Sequence, residues 1–158
     1  MVQLSQHVTT KEPLPKHLID QIIKAKNVNS SLFNLRQLFF GIFDLTLHDQ
    51  RKLEVKNLNE LYAKLRENIT LLPHHAGTFG ASTFGHIMGG YQSGYYGYIW
   101  SLVYASDIYS KFTDDSVGKV YRDTILMPGG SVEPMTLIKK FLKRDPNNEA
   151  FLKHLGLK

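Results

Sequence analysis

The chain contains no cysteine among its 158 residues. This excludes disulfide bonds and thiolate metal sites, and it is compatible with a reducing compartment. No apolar run is long enough to span a bilayer, and the first residues lack the basic region and apolar core of a secretion signal. No stretch alternates apolar and polar residues as a half-buried strand would. The sequence therefore predicts an all-α fold without a membrane-spanning segment.

Charge is missing from one long stretch. Residues 69–106 contain no Asp, Glu, Lys or Arg, although these types make up 21% of the chain. Charged side chains are normally exposed, so this stretch is predicted to be half-buried or to face a cleft. The formal net charge of +5 is spread without a dense basic run, whereas phosphate contacts dominate affinity for nucleic acids. A nucleic-acid-binding module that stacks bases on tyrosines is therefore the least favoured function, and neither nucleic acid nor membrane is a predicted partner.

Helical periodicity divides the chain into short helices within one unit, residues 1–158. An amphipathic helix is predicted at 14–26, and the most apolar helix, at 32–47, is predicted to form the core with burial on more than one face. Further helices are predicted at 57–68, 95–112, 117–126 and 131–143, and a last short one ends at Gly156. Ser30 or Ser31, Asn57 and Ser131 are the predicted N-caps. Residues 1–13 indicate an incomplete helix and a turn, and 49–56 a charged connector.

The most informative stretch is FGHIMGGYQSGYYGYIW, residues 84–100. Its glycines relax the backbone, because glycine adopts positive φ freely and lets a ligand approach closely. Its four tyrosines each offer a phenol that donates a hydrogen bond and a ring that stacks. Such a loop suits holding a peptide or polarising a carbonyl group. Composition alone leaves a loop that only packs, or a flexible RNA-contacting segment, equally open.

The residues of this loop carry a family resemblance. GHIMGGYQSGYYGY (85–98) resembles the tyrosine-rich loop of the M3 zinc metallopeptidases, and the resemblance continues in YRDTILMPGGS (121–131) and FLKRDPNNEAFLKHLG (141–156). LFNLRQLFF (32–40) resembles the helix that follows the zinc-binding region of that family. The match covers nearly the whole chain in the right order. It implies an all-α helical fragment with a long Gly/Tyr-rich loop, the C-terminal part of a larger peptidase domain.

The resemblance also implies roles for individual residues. Tyr98 would donate its phenol to the scissile carbonyl oxygen and then to the oxyanion, Tyr95 would hold substrate close to the same point, and His86 would donate from the start of the loop. Tyr91 would line the substrate cleft, and Gly89 and Gly90 would let the loop close over a bound peptide. Tyr96 and Tyr104 are instead predicted to be buried rings with satisfied hydroxyls.

The zinc-binding part of the family motif is missing. The family binds zinc through His-Glu-x-x-His on a helix and a downstream glutamate, and none of the seven histidines here forms such a pair. The resemblance thus implies zinc in the complete enzyme and none bound by this chain alone. A zinc site made of His74, His75 and His86 is the less favoured alternative, because no carboxylate or thiolate lies nearby in sequence to help.

The sequence therefore favours two classes of function. The first is the substrate-binding and oxyanion-stabilising part of a metalloendopeptidase that hydrolyses short peptides. Its partners would be those peptides and the missing N-terminal portion of the peptidase, and it would be catalytically incomplete alone. The resemblance implies the cytoplasm, or the mitochondrial intermembrane space, as its location. The second is a non-catalytic peptide-binding or regulatory protein that retained the cleft loop.

Overall fold

A computed structural model describes residues 4–49 and 57–158 of the chain. Within these residues the chain forms helices and turns and no strand, which confirms the all-α prediction. The α-helices are α1 (Lys16–Ala25), α2 (Ser30–His48), α3 (Leu58–Thr70), α4 (Gly97–Tyr109), α5 (Ser116–Tyr121), α6 (Pro134–Leu142) and α7 (Glu149–His154). Residues 4–13 form turns rather than the start of a helix. Residues 1–3, and residues 50–56 of the predicted connector, lie outside the described residues.

The core lies between α2, α3 and the loop that precedes α4. Phe39 and Phe43 of α2 are almost fully buried, and their rings meet the edge of Tyr62 on α3 at centroid distances of 4.9 and 5.2 Å. On the neighbouring side of α2, Phe40 packs against Phe84 at 4.6 Å. The predicted core helix is thus confirmed. Its burial extends over more than one side, as predicted, because Phe39 and Phe43 face α3 whereas Asp44 is buried on a different side, against the loop. Leu38 and Leu45 lie on the exposed side.

A second cluster joins α4 to the C-terminal helices. Asp107 of α4 is 1% exposed and makes two hydrogen bonds with the guanidinium of Arg144, at 2.8 and 2.5 Å. Asn147 adds a backbone N–H bond of 2.9 Å to the same carboxylate. Phe112 and Tyr121 pack on Phe141 of α6, which is buried. The end of α4 is therefore fixed by an ion pair between the buried Asp107 carboxylate and the partly exposed Arg144 guanidinium, beside an aromatic cluster.

Side-chain hydrogen bonds cap the N-termini of two of the described α-helices, α3 and α6. Asn57 accepts hydrogen bonds from the amides of Asn59 and Glu60, as a side chain at the N-cap should, so that predicted cap is confirmed. The other two predicted caps were wrong. Asn29 occupies the N-cap position of α2 in a left-handed conformation, and Glu133 caps α6 by accepting from the amide of Thr136 at 2.8 Å. Glu133 takes this position because Pro134 begins the helix, and proline is favoured in a first turn.

The segment predicted as one helix over 117–126 changes type along its length. It is α-helical over Ser116–Tyr121 and then a π-helix over Arg122–Leu126, which closes with the Met127 amide bonded to the Arg122 carbonyl at 2.8 Å. Within the described part of the chain, every helix is too short or too polar to cross a membrane.

Candidate functional site

The Gly/Tyr-rich loop is built from consecutive tight turns. Two 3-10 turns, Gly80–Thr83 and Gly85–Met88, lead into it, and α4 begins at Gly97, two residues later than the sequence predicts. The amides of Gly89 and Tyr91 both donate to the His86 carbonyl, at 3.1 and 3.2 Å. Gly90 has φ of +93°, a conformation that glycine adopts without strain. The turn at Gly90 brings Tyr91 back towards His86.

Side chains of helix α2 make hydrogen bonds to the loop. The Asp44 carboxylate is 0% exposed and accepts from the backbone amides of Ser93, at 3.0 Å, and Tyr95, at 2.9 Å. Gln37, two turns earlier on α2, accepts a 2.9 Å hydrogen bond from the phenol of Tyr95. These contacts join positions about 50 residues apart, so they fix the loop against the core.

The predicted site residues converge on His86. Its imidazole lies 5.7 Å from the ring of Tyr91, 5.1 Å from that of Tyr95 and 6.0 Å from that of Tyr98, each time edge to face. Tyr91 and Tyr98 stack on each other at 5.4 Å with an interplanar angle of 17°. We call these four residues the His86 cluster. All the residues for which a catalytic role was predicted thus lie in one aromatic group beside Gly89 and Gly90.

The members of the His86 cluster differ in exposure. Tyr98 and Tyr91 are 40% and 44% exposed, and His86 also faces solvent. Tyr95 is 7% exposed, packs its ring against Phe84, and uses its hydroxyl on Gln37. Only His86, Tyr91 and Tyr98 therefore present polar atoms to a ligand as the loop stands.

The phenols of Tyr95 and Tyr98 stay protonated near neutral pH. A hydrogen bond with the Tyr91 phenol is the main cause that raises the pKa of Tyr98 above its ordinary value, with desolvation adding to it. Burial raises the pKa of Tyr95, against the opposing effects of the Arg36 charge and the Gln37 hydrogen bond. A neutral phenol is a hydrogen-bond donor. Tyr98 can thus donate to a carbonyl oxygen or to an oxyanion that comes within reach, once its hydroxyl leaves the hydrogen bond with Tyr91.

The prediction that Tyr96 and Tyr104 are buried was wrong in part. Tyr96 is 48% exposed and Tyr104 is half-buried, with its ring at the edge of Trp100. Tyr95 takes the buried position instead of Tyr96. The reason is the contact to Asp44, which holds the Tyr95 amide and thereby turns that side chain towards Phe40 and Phe84.

The described histidines do not assemble a zinc site. His74 contacts the hydroxyl and carbonyl oxygens of Thr78, and the His75 imidazole lies 3.2 Å from the Ala76 carbonyl oxygen. No group of three or more His, Asp or Glu side chains among residues 4–49 and 57–158 is placed to hold a metal ion. The donor set of the described residues therefore does not fit zinc.

Sequence reasoning missed Gln37 and Asp44. One signal was available, because Asp44 is the only acidic residue in the 19-residue helix α2. An acid on the same side of a helix as buried phenylalanines needs partners, since an unpaired buried charge is costly. Nothing local identifies those partners as amides of the loop.

Comparison with known proteins also relates the chain to peptidases. A sequence model of Peptidase family M3 matches residues 1–157. Saccharolysin from Saccharomyces cerevisiae is 42% identical over 99% of this chain, which corresponds to 23% of the yeast protein. Oligopeptidase A from Escherichia coli is 40% identical over 98% of the chain and 24% of its own length. Thimet-like oligopeptidase from Dictyostelium discoideum is 35% identical over 91% of the chain. The chain thus spans about a quarter of the length of these relatives.

Proposed function

We propose that this chain, which belongs to peptidase family M3, forms the C-terminal substrate-binding and oxyanion-stabilising part of a zinc-dependent oligopeptidase that hydrolyses short peptides. The observation that carries the proposal is the His86 cluster, where solvent-facing donors of His86, Tyr91 and Tyr98 converge at the start of α4. The names of the relatives as oligopeptidases support the substrate class.

In this proposal Tyr98 is the principal donor. Its phenol donates to the scissile carbonyl oxygen and, as the tetrahedral species forms, to the oxyanion. Preorganised donors directed at developing negative charge contribute about 3–4 kcal/mol of transition-state stabilisation each. His86 adds a second donor, and Tyr91 fixes the Tyr98 ring by stacking while lining the peptide cleft with Gly89 and Gly90.

Tyr95 has a different geometry from the other members. Its ring lies 5.0 Å from that of Tyr98, and its phenol is bonded to Gln37. Tyr95 can hold a substrate only after its hydroxyl leaves Gln37. In the structure as it stands, its contribution is to support Tyr98 from the core side.

The zinc and the general base are proposed to belong to another portion of the complete enzyme, because the described residues do not fit a zinc ion. The chain alone is therefore proposed to be catalytically incomplete, with that N-terminal portion as its partner. The exposed apolar side chains at the start of α4, Tyr98, Trp100 and Leu102, support such a partner. We propose the cytoplasm as its location. A similar plant protein bears the name probable cytosolic oligopeptidase A, and another is named as organellar.

The test is a chimera in which the 158-residue chain replaces the matching segment of yeast saccharolysin. The chimera should cleave a quenched fluorescent peptide, and Tyr98→Phe should lower kcat by about 10²–10³-fold with little change in KM, because one oxyanion donor is removed. Tyr109→Phe is the matched control, since Tyr109 lies at the far end of α4 and should leave kcat unchanged. Full activity in Tyr98→Phe would contradict the proposed role. A chimera that binds peptide without cleaving it would favour the non-catalytic alternative.

A further inference from the structure

One face of α2 is shaped to receive the Gly/Tyr-rich loop. Gln37, Gly41 and Asp44 lie at positions i, i+4 and i+7 and therefore share a face of the helix. Each contacts the loop between Ser93 and Tyr96. Gln37 binds the Tyr95 phenol, Asp44 binds two backbone amides, and Gly41 leaves room for the backbone itself.

The surroundings of Gly41 show how closely the backbone of the loop approaches α2. A Cβ atom at this position would lie 3.3 Å from the Tyr96 Cα and 3.6 Å from its backbone nitrogen. Such a contact is tighter than carbon atoms normally make, so a side chain here would push the turn away from the helix. The small residue thus lets the turn sit directly on α2.

Asp44 is the strongest of the three contacts. Its two carboxylate oxygens are directed to different amides, Oδ1 to Ser93 and Oδ2 to Tyr95, and Oδ1 also lies 2.9 Å from Nδ1 of His48. Hydrogen bonds to an ionised acceptor are roughly twice as strong as neutral ones. One of the held residues, Ser93, has φ of +60°, an unfavourable conformation for a residue with a side chain. The carboxylate therefore stabilises a turn that the loop sequence alone disfavours.

The clamped turn directly precedes the predicted catalytic side chain. Tyr95 is followed by one residue and then by α4, whose second residue is Tyr98. Because the first turn of a helix is rigid, the position of the clamped turn fixes the position of the Tyr98 phenol. An exposure of 0% and the engagement of both oxygens exclude direct contact between Asp44 and a substrate.

We propose that Asp44 is a positioning residue, which sets the place of the Tyr98 and Tyr91 phenols by clamping the backbone of the turn from Ser93 to Tyr95. The expected effect on kcat rests on the proposed function, whereas the hydrogen bonds from Asp44 to the turn do not. Two experiments separate them.

The first experiment measures amide hydrogen exchange in the 158-residue chain by mass spectrometry. In Asp44→Asn the amide nitrogen of the new side chain faces a backbone N–H, so one donor loses its acceptor. Peptides covering 91–98 should exchange roughly tenfold faster or more, relative to peptides from α2 and α3. Asp107→Asn is the control, because Asp107 is the other buried acid among the described residues and it contacts Arg144 rather than the loop. It should leave that ratio unchanged.

The possible outcomes decide between a clamp and a general core contribution. Faster exchange confined to 91–98 in Asp44→Asn supports the clamp. An unchanged ratio, or an unprotected loop in the parent chain, overturns it. Equal loss of protection throughout α2 and α3 also overturns it, because Asp44 would then stabilise the core as a whole.

The second experiment measures peptide cleavage by the saccharolysin chimera. Asp44→Asn should lower kcat by about 100-fold with KM changed by no more than a few-fold, since a misplacement of about 1 Å has this effect on a catalytic group. Gly41→Ala should show a smaller loss that is also selective for kcat, because it displaces the turn by only a few tenths of an ångström while the Asp44 charge remains. Unchanged kcat in both variants would overturn the positioning role. An inactive parent chimera would count against the proposed function, while the exchange experiment would still decide on the clamp.

Discussion

Replacement of Gly80 by alanine should destabilise the fold by overpacking the core. Gly80 begins the first 3-10 turn of the loop and lies against the ring of Tyr62. A Cβ atom at Gly80 would lie 2.3 Å from Cε1 of Tyr62, 2.7 Å from its Cζ and 3.0 Å from its hydroxyl oxygen. Carbon atoms in contact are normally about 3.5–4.0 Å apart, so the nearest pair would have to separate by more than 1 Å.

The Tyr62 ring has little space into which to move. It is 9% exposed, and its neighbours Phe39 and Phe43 are 1% and 0% exposed. Inserting a methyl group into such a core costs about 1–3 kcal/mol. Alanine recovers about 0.4–1 kcal/mol by restricting the unfolded chain, because Gly80 is not in a left-handed conformation. We expect a net loss of about 1–2 kcal/mol in the free energy of unfolding.

Urea unfolding followed by far-ultraviolet circular dichroism measures this loss, and a double-mutant cycle assigns its cause. Tyr62→Leu removes the three atoms that the new Cβ would meet, so Gly80→Ala should be close to neutral in that background. Gly118→Ala is the control for the alanine substitution, because Gly118 lies in α5 with open space around its Cβ position, and it should stabilise by about 0.5–1 kcal/mol. Equal costs of Gly80→Ala with and without Tyr62 would refute the overpacking explanation.

Two further predictions concern single groups. Asn57→Ala should lower the free energy of unfolding by about 1 kcal/mol, because it removes the N-cap of α3. Asn57→Asp should retain most of the stabilisation by the cap. Urea titrations of the two variants provide the measurement. The hydrogen bonds with Arg144 hold the pKa of Asp107 below its ordinary value. A carboxyl group with a lowered pKa in the folded state stabilises above its unfolded pKa of about 3.9 and loses that effect as the pH falls through its folded pKa. Asp107→Asn should therefore differ most from the parent near pH 7, and the difference should shrink below about pH 4 in unfolding experiments across that range; a constant difference would contradict the ion-pair assignment.

The sequence was sufficient for helices with a one-sided apolar stripe and a clear end signal. Helix α1 was predicted at 14–26 and spans Lys16–Ala25, and α3 was predicted at 57–68 and spans Leu58–Thr70. Gly156 has φ of +76° after the last helix, as a terminating glycine should. In each case the deciding interactions lie within a few residues of each other, so a local pattern contains them.

The parts that depended on distant contacts were not predictable in this way. The neighbours Tyr95 and Tyr96 have the same side chain, and a carboxylate 51 residues from Tyr95 decides which of them is buried. The convergence of His86, Tyr91, Tyr95 and Tyr98 was expected from the family resemblance, whereas the support from Gln37 and Asp44 was not. No periodicity within residues 84–100 encodes an acceptor on another helix.

Helix α4 shows why the site lies where it does. A helix that is apolar on all sides is normally buried on all sides, yet Asp107 is its only buried residue among those the structure describes. Its first turn rests on α2 through the Asp44 turn, its last turn is fixed by Arg144, and Trp100 and Leu102 between them are exposed. Under the proposed function, this exposed side is where the N-terminal portion would pack, and the relatives are about four times longer than the chain. The His86 cluster would then lie at the boundary between the two parts. There α2 can fix the donors from behind while their polar atoms face the portion that is proposed to hold the metal and the peptide.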